Sequence, residues 1–252
     1  MLDSQDMDLN LKGKRALVTG ASKGIGRACA EALAAEGCEV AIASRNPPLS
    51  GPFRAIAADL SHRGVAEQLA ASAGELDILV NNAGAIPGGD LARVDEEIWR
   101  RAWDLKVFGY INLTRAVYAK MKAKGRGVIV NILGNAGERL NAAYIAGSTA
   151  NAGLMAFTRT LGGVSHADGI RVVGINPGPV ATDRLLSLYK QMAQTKLGDA
   201  SRYEELFKEL SFGRPASVDE IAWAAAFLAS ERSAYTSGCI LSIDGGQAAR
   251  WS

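Results

Sequence analysis

The sequence predicts a single doubly wound α/β domain built on a parallel seven-stranded sheet. Seven short apolar runs rich in β-branched residues alternate with longer segments rich in Ala, Leu, Glu and Arg. The apolar runs are continuous, which is typical of strands buried on both faces. The 252 residues contain no repeat or low-complexity linker. We therefore predict one domain over residues 1–252, with an N-terminal tail at 1–10.

The predicted elements follow one another along the whole chain. The strands are residues 15–19, 40–43, 53–57, 76–80, 128–132, 170–175 and 239–243. The helices are residues 26–36, 62–73, 94–124, 152–161 and 218–229. Gly37 and Gly74 follow two of these helices, as is common at helix C-termini. Ser217 and Glu220 have the spacing of a capping box at the start of the last helix.

Two connections depart from this alternation. The connection at residues 46–52 contains three prolines and is shorter than the ~10–12 residues that a helical crossover needs. We therefore expect no helix between the second and third strands. Residues 183–214 form a long charged segment with helical turns expected at 185–192 and 203–210, and no strand. We predict that this segment is a lid over a site.

Composition excludes several classes of function. The 28 Lys and Arg residues nearly balance the 26 Asp and Glu residues, for a net charge of +2, and no basic block predicts a nucleic-acid partner. Cys29, Cys38 and Cys239 are widely spaced, which predicts neither disulfides nor a metal site. No apolar stretch is long enough to span a membrane, and the first eleven residues do not resemble a signal peptide. We expect a soluble, cytoplasmic protein with no membrane partner.

A glycine-rich loop at residues 19–26, T-G-A-S-K-G-I-G, follows the first predicted strand and opens a helix. Glycines allow the backbone to approach a pyrophosphate, and the helix N-terminus supplies N–H donors and partial positive charge. Glycines alone also occur in ordinary turns, but this context favours a dinucleotide site. The candidate phosphate-binding residues are Gly20, Ser22, Lys23, Gly24, Ile25 and Gly26.

The loop spacing T-G-x-x-x-G-x-G resembles that of the short-chain dehydrogenase/reductase family. Further motifs agree in order: Asp59-Leu60 after the third strand, residues 81–84 (N-N-A-G), residues 177–182 (P-G-P-V-A-T) and residues 244–246 (D-G-G). The resemblance covers roughly residues 9–246. It implies a Rossmann-type sheet of order 3-2-1-4-5-6-7, NAD(P) binding, and oxidoreduction between hydroxyls and carbonyls of small molecules. It also implies a homo-oligomer, either a dimer or a tetramer.

The end of the second strand predicts the cofactor. An acidic residue there would bind the adenosine ribose and repel a 2′-phosphate, whereas this sequence has Ser44 and Arg45. Lys23 adds a second cation. We therefore expect NADP(H), with NAD as the alternative, provided that the proline-rich connection leaves Arg45 in place.

The family resemblance places other residues along the cofactor. It implies Asp59 and Leu60 beside the adenine, and residues of the N-N-A-G motif along the ribose. It also implies residues of the P-G-P-V-A-T motif at the nicotinamide. The candidates from these two motifs are Asn81, Ala83, Gly84, Pro177, Gly178, Val180 and Thr182. A helix-capping role for Asp59 and a structural turn at residues 81–84 are the alternatives.

The family's four catalytic positions, which normally hold Asn, Ser, Tyr and Lys, have all changed. Alignment on neighbouring residues puts Lys106 at the Asn position, Gly134 at the Ser, Gly147 at the Tyr and Asn151 at the Lys. The usual proton relay therefore cannot be carried over to this chain.

Two hypotheses remain open. In the first, the site is rebuilt from Lys106, Tyr144 and Asn151. Tyr144 lies three residues before Gly147, and the glycine leaves room for its ring. Its hydroxyl is then the candidate acid, with a pKa near ~10 unless a cation such as Lys106 lowers it. In the second, the chain keeps the dinucleotide pocket without catalysis and serves as a binding or scaffolding protein, because Gly134 and Gly147 remove two hydroxyls.

Overall fold

The computed structural model describes residues 8–48 and 50–250. Its centre is one parallel sheet in the order β3-β2-β1-β4-β5-β6-β7, which confirms the predicted fold and strand order. The strands are β1 Arg15–Thr19, β2 Glu39–Ser44, β3 Arg54–Ala57, β4 Ile78–Asn81, β5 Gly127–Ile132, β6 Ile170–Pro177 and β7 Ile240–Ile243. Most of the predicted N-terminal tail lies outside the described residues.

Helices cover both faces of this sheet. They are α1 Gly24–Ala35, α2 Val65–Ala73, α3 Glu96–Trp103, α4 Gly109–Lys124, α5 Ile145–Val164, α6 Asp183–Leu197 and α7 Val218–Ala229. Helices α1 and α7 bury one face, whereas α2, α4 and α5 bury the other. Leu17 and Val18 are adjacent in β1, belong to opposite cores and are both 0% exposed. Burial on both faces explains the continuous apolar runs.

The connection between β2 and β3 contains no helix among its described residues, as predicted. The two strands still pair in parallel, with Ala41 opposite Arg54. The Arg27 guanidinium of α1 lies 4.7 Å from the centre of the Phe53 ring and packs the end of the connection against the domain. Arg45 remains at the end of β2.

The prediction of one continuous helix over residues 94–124 was wrong at its centre. Helices α3 and α4 are separated by a π-helical turn, Asp104–Phe108. Such turns contain an extra residue and often occur at functional sites. Helix α5 begins at Ile145, well before the predicted residue 152. Gly147 and Asn151 therefore lie inside α5, and Tyr144 is its N-cap residue.

Segment 183–214 folds as α6 followed by two 3₁₀ segments, Ala200–Glu209 and Ser211–Gly213. The rings of Tyr189 and Phe207 meet edge to face with centres 5.0 Å apart, which packs α6 against the first 3₁₀ segment. The start of α6 lies at the carboxyl edge of the sheet, where the loops after the parallel strands meet. In this fold class, ligands bind at that edge.

Candidate active site

The glycine loop between β1 and α1 is held against the end of β4. The backbone N–H of Gly20 donates to the Ala43 carbonyl at 2.7 Å. A Cβ on Gly20, where φ is +63°, would lie 2.8 Å from the Ala83 Cα, and a Cβ on Gly26 would collide with the Asn82 amide. These two glycines are therefore required by the packing of the loop itself.

The start of α1 offers donors for an anion. Its N-cap residue, Lys23, makes no side-chain capping hydrogen bond. The first N–H groups of the helix therefore face the loop opening without a side-chain cap. Gly24 has φ of +58°, a conformation that favours glycine. Ser22 is exposed beside it, and Ile25 is half-buried.

The carboxyl end of β2 places a hydroxyl and a cation side by side. The Ser44 hydroxyl is buried without a hydrogen-bond partner among the described residues, and Arg45 is exposed. An unpartnered buried hydroxyl at this point fits a ligand that supplies the missing hydrogen bond.

Asp59 lies close to this end of β2. Its Oδ1 accepts from the backbone N–H of Ser61 at 3.0 Å and from the Ser61 hydroxyl at 2.7 Å. Burial alone would raise the pKa of Asp59, but these hydrogen bonds and the charges of His62 and Arg45 lower it. Asp59 therefore forms a turn with Ser61 and stays ionised. Leu60 is 6% exposed.

Asn81 has a structural role that its sequence position did not predict. It is 0% exposed, and its amide nitrogen donates to Thr114 Oγ1 at 3.0 Å and to Asn131 Oδ1 at 2.9 Å. These bonds join β4 to α4 and β5. The Asn81 side chain is therefore part of the core, and the contact of this residue with the cofactor stays a prediction. Ala83 and Gly84, which are more exposed, form the accessible part of the motif.

The segment after β6 brings α6 to the glycine loop. Gly178 donates to the Ile243 carbonyl at 2.9 Å, Pro177 ends β6, and Val180 is 5% exposed. Thr182 caps α6, and its Cγ2 lies 3.4 Å from where a Gly24 Cβ would stand. The start of the predicted lid is therefore in contact range of the phosphate-binding loop.

The π turn carries Lys106 into the interior. Its Nζ donates to the Leu133 carbonyl at 2.7 Å, and its aliphatic stem lies 3.0 Å from where a Gly84 Cβ would stand. Burial lowers the pKa of Lys106 to about 8, and the positive charge of Arg184 acts in the same direction. The ammonium therefore loses its proton more readily than that of an exposed lysine.

Asn151, on α5, faces Gly134, the residue that follows Leu133 in the loop after β5. A Cβ on Gly134 would stand 2.7 Å from Asn151 Nδ2, and φ at Gly134 is +150°. A serine at Gly134 would therefore be crowded by Asn151 and strained in its backbone. Asn151 is 2% exposed, and its Oδ1 has no partner among the described residues. Lys106 and Asn151 thus bind or contact two consecutive residues, Leu133 and Gly134.

Tyr144 packs its ring directly over Gly147. A Cβ on Gly147 would collide with three ring atoms of Tyr144, so the ring lies in space that only glycine leaves open. The backbone N–H of Ser148 donates to the Tyr144 carbonyl at 2.8 Å, which ties the residue to the first turn of α5. The tyrosine side chain is half-buried at the carboxyl edge of the sheet.

The cation beside Tyr144 is Arg184, which the sequence did not single out. Burial raises the pKa of Tyr144, while the charge and hydrogen bonding of Arg184 lower it. The suggestion that Lys106 would lower this pKa was wrong, since Arg184 from α6 occupies that role. Arg184 Nη2 also donates to the Ile86 carbonyl at 2.6 Å. In the sequence, the only sign that Arg184 lies at the site is its position two residues after the P-G-P-V-A-T motif.

Comparison with known proteins identifies the class. The short chain dehydrogenase family matches residues 14–193. The chain is 34% identical over 250 residues to the 3-oxoacyl-(acyl-carrier-protein) reductase FabG of Escherichia coli, covering 94% of this chain and 98% of that protein. It is 35% identical over 259 residues to 2-dehydro-3-deoxy-D-gluconate 5-dehydrogenase of Bacillus subtilis, covering 96% of this chain and 97% of that one.

A solved structure agrees with these relatives. L-sorbose reductase from Gluconobacter frateurii, complexed with NADPH and L-sorbose, superposes with a TM-score of 0.88 at 30% identity, covering 95% of this chain and 98% of that chain. The chain therefore belongs to the short-chain dehydrogenase/reductase family, and these relatives are reductases and dehydrogenases.

In residues 8–48 and 50–250 no helix is long and apolar enough to cross a bilayer. The same part of the chain holds no group of three His, Cys, Asp or Glu side chains placed to bind a metal ion.

Proposed function

We propose that this protein is an NADP(H)-dependent oxidoreductase that interconverts a carbonyl and an alcohol at a rebuilt catalytic site. The observation that carries the proposal is the convergence of the open α1 N-terminus, buried Lys106 and half-buried Tyr144 at one edge of the sheet. Family membership supports the reaction class. The NADPH complex of the sorbose reductase supports the cofactor.

The residues present fit a dinucleotide. The uncapped N–H groups of α1 would hold the pyrophosphate, and Gly24 would let it approach the backbone. The unpartnered Ser44 hydroxyl and the exposed Arg45 guanidinium would take the 2′-phosphate of NADP(H). Lys23 would add a second cation. Its contact with Asp183, 3.8 Å between two exposed side chains, is weak enough to exchange for phosphate.

Tyr144 is the proton donor in this proposal. When bound, the cofactor supplies the hydride that reaches the carbonyl carbon. The Tyr144 hydroxyl then gives its proton to the carbonyl oxygen, and solvent returns a proton to the phenolate. Because burial raises the pKa of Tyr144, the hydroxyl stays protonated at neutral pH, which suits the direction of carbonyl reduction.

Lys106 and Asn151 hold the nicotinamide side of the site in this proposal. In the family pattern a Lys and an Asn stand at these two positions in the opposite order. Lys106 supplies the ammonium from the π turn, and the unpartnered Asn151 Oδ1 is an acceptor for a ribose hydroxyl. The ammonium is charged below a pH of about 8.

Calorimetric titration with NADPH and NADH tests the cofactor part of the proposal. We expect tighter binding of NADPH than of NADH, and weaker NADPH binding to Lys106→Ala. Failure of both nucleotides to bind would overturn the proposal. If Tyr144→Phe turns over a carbonyl substrate as fast as the wild type, Tyr144 is not the proton donor.

The alternative function is a dinucleotide-binding or scaffolding protein without catalysis. It is favoured by Gly134 and Gly147, which lack the hydroxyls that would polarise a carbonyl. Under this alternative NADPH binds, but no carbonyl compound is reduced. Enzyme-dependent NADPH oxidation that matches product formation one to one would exclude it.

We also propose a homodimer or homotetramer in the cytoplasm. Trp223 and Phe227 on α7 are 64% and 41% exposed, and Leu241 on the neighbouring edge strand β7 is 39% exposed. Exposed apolar side chains on adjacent elements are typical of a subunit interface. Light scattering after size-exclusion chromatography tests the assembly, and cell fractionation tests the location.

A further inference from the structure

Two cations lie together at the candidate site without a carboxylate. Lys106 is buried and donates its hydrogen bond to a neutral carbonyl. Arg184 is near enough for its charge to act on Lys106, and its own hydrogen bond also goes to a carbonyl, that of Ile86. Within residues 8–48 and 50–250, neither cation forms a salt bridge. Cations in a protein cleft are normally balanced by acidic groups, so the site has positive charge available for a ligand.

The first turn of α6 directs its two charged residues to different places. Asp183 faces the glycine loop, where its Oδ2 lies 3.8 Å from Lys23 Nζ. Arg184 faces Ile86 and the hydroxyl of Tyr144. The Arg184 guanidinium is therefore on the side of the proposed proton donor, away from the loop that would hold the cofactor phosphates.

Arg184 retains donors for a planar anion. Its guanidinium has five N–H donors in a fixed fork. Ile86 takes a bond from one of its nitrogens, and the Tyr144 hydroxyl is a second partner, which leaves other donors free. Such a fork binds a carboxylate through two parallel hydrogen bonds. The residue is exposed, so a substrate can reach these donors.

We propose that the substrate carries a carboxylate that Arg184 binds, so that the reaction is the interconversion of an oxo acid and a hydroxy acid. This inference rests on the proposed function. In the reductive direction NADPH gives a hydride to the carbonyl carbon, Tyr144 gives a proton to its oxygen, and NADP⁺ and a hydroxy acid are released. The carboxylate remains unchanged, and its charge balances the Lys106 and Arg184 cations while the oxo group sits at Tyr144.

Matched pairs of compounds test this inference. 5-Dehydro-D-gluconate and L-sorbose differ only by a carboxylate in place of a hydroxymethyl group, and acetoacetate and methyl acetoacetate form a smaller pair. We expect at least one acid to be reduced with a kcat/KM that exceeds that of its neutral counterpart. Because Arg184 also faces the Tyr144 hydroxyl, Arg184→Gln changes turnover of both members of a pair. We expect the KM for the acid to rise about 10- to 100-fold more than the KM for its neutral counterpart. Arg184→Lys should recover part of the loss, and Lys196→Gln, on the exposed far end of α6, should match the wild type.

Binding separates this inference from the proposed function. The same acids are titrated by calorimetry into the NADPH-saturated protein. If the wild type binds an acid but does not reduce it, and Arg184→Gln does not bind that acid, the anion site is supported. The oxidoreductase proposal then fails. Reduction of only the neutral compounds, equal effects of Arg184→Gln on both members of a pair, or no binding of any acid overturns the inference.

Discussion

At the scale of single residues, Lys106 and Asn151 are polar side chains whose buried positions the fold satisfies only in part. Lys106 has one hydrogen bond, to Leu133, and Asn151 Oδ1 has none among the described residues. Such groups cost stability unless a ligand completes their hydrogen bonds. Because Lys106 and Asn151 are buried in this way at the carboxyl edge of the sheet, we infer that they bind a ligand.

The stability of Lys106→Met tests this argument. The pKa of Lys106 is about 8 in the folded protein, below its ordinary value of 10.5. Between these pH values the unfolded chain holds a proton that the folded protein lacks, so the wild type gains stability as pH rises through this range. We expect Lys106→Met to be more stable than the wild type at pH 7 by about 1–3 kcal/mol, while its NADPH affinity falls.

Urea denaturation of the ligand-free proteins between pH 7 and pH 10 measures this effect. The advantage of Lys106→Met should shrink as pH rises. A variant that is less stable than the wild type at every pH would show that Lys106 is a structural residue.

Arg45 is the residue that most directly sets cofactor choice. Arg45→Asp replaces a cation by an anion beside Ser44, which would repel a 2′-phosphate and bind ribose hydroxyls. We expect the ratio of the NADPH to NADH dissociation constants to rise about 10- to 100-fold in calorimetry. Lys12→Asp makes the same change in net charge just before β1, at the opposite edge of the sheet, and should leave this ratio unchanged. An unchanged ratio in Arg45→Asp would exclude Arg45 from the cofactor site.

At the scale of elements, the π turn and the first turn of α5 carry the residues of the proposed site. The π turn at Asp104–Phe108 carries the lysine, and α5 begins with Tyr144 at its N-cap and Gly147 beneath the ring. In the family pattern the lysine lies on the helix after β5. In this chain Lys106 would supply the ammonium from the π turn, which precedes β5. A single substitution that restores the family residue at Gly134 or Gly147 would therefore meet Asn151 or Tyr144.

Gly147→Ala tests the packing of Tyr144 on α5. An alanine favours a helix interior by up to ~1 kcal/mol, but here its methyl group would collide with the Tyr144 ring. We expect a net loss of about 1–2 kcal/mol in thermal or urea denaturation, together with loss of turnover. Gly153→Ala is the matched control, since a Cβ there meets nothing within 4 Å, and it should stabilise the protein. A stable, active Gly147→Ala protein would contradict the assigned position of the ring.

At the scale of the whole molecule, the sheet determines where the chemistry can be. All seven strands are parallel, so the loops that follow β1, β2, β4, β5 and β6 meet at one edge. This edge holds the glycine loop, Lys106, Tyr144 and the start of α6. A groove of about 680 Å³ lies at the other edge, beside Lys14, Gly127 and Arg171, so the presence of a groove alone would have indicated a different site.

Sequence patterns predicted the fold because continuous apolar runs and glycine spacing depend on local chemistry. The seven strands followed from them, as did the absence of a helix among the described residues after Ser44. The strand order followed from the family resemblance. The sequence also predicted that Gly147 leaves room for the Tyr144 ring. Arg184 and the buried bonds of Asn81 were missed because they depend on contacts between distant segments, such as Arg184 with Ile86. The π turn was missed because periodicity does not distinguish it from an α-helix.

Catalysis at the proposed site is tested most directly by hydride transfer from NADPH that carries deuterium in place of both hydrogens at C4 of the nicotinamide. The protein is incubated with this NADPH and the oxo acids and ketones described above, and the products are analysed by mass spectrometry. We expect a deuterated alcohol product with the wild type and a loss of at least about 100-fold in rate with Tyr144→Phe, while NADPH affinity is retained. No deuterated product from any compound, or equal rates for the wild type and Tyr144→Phe, would contradict this expectation.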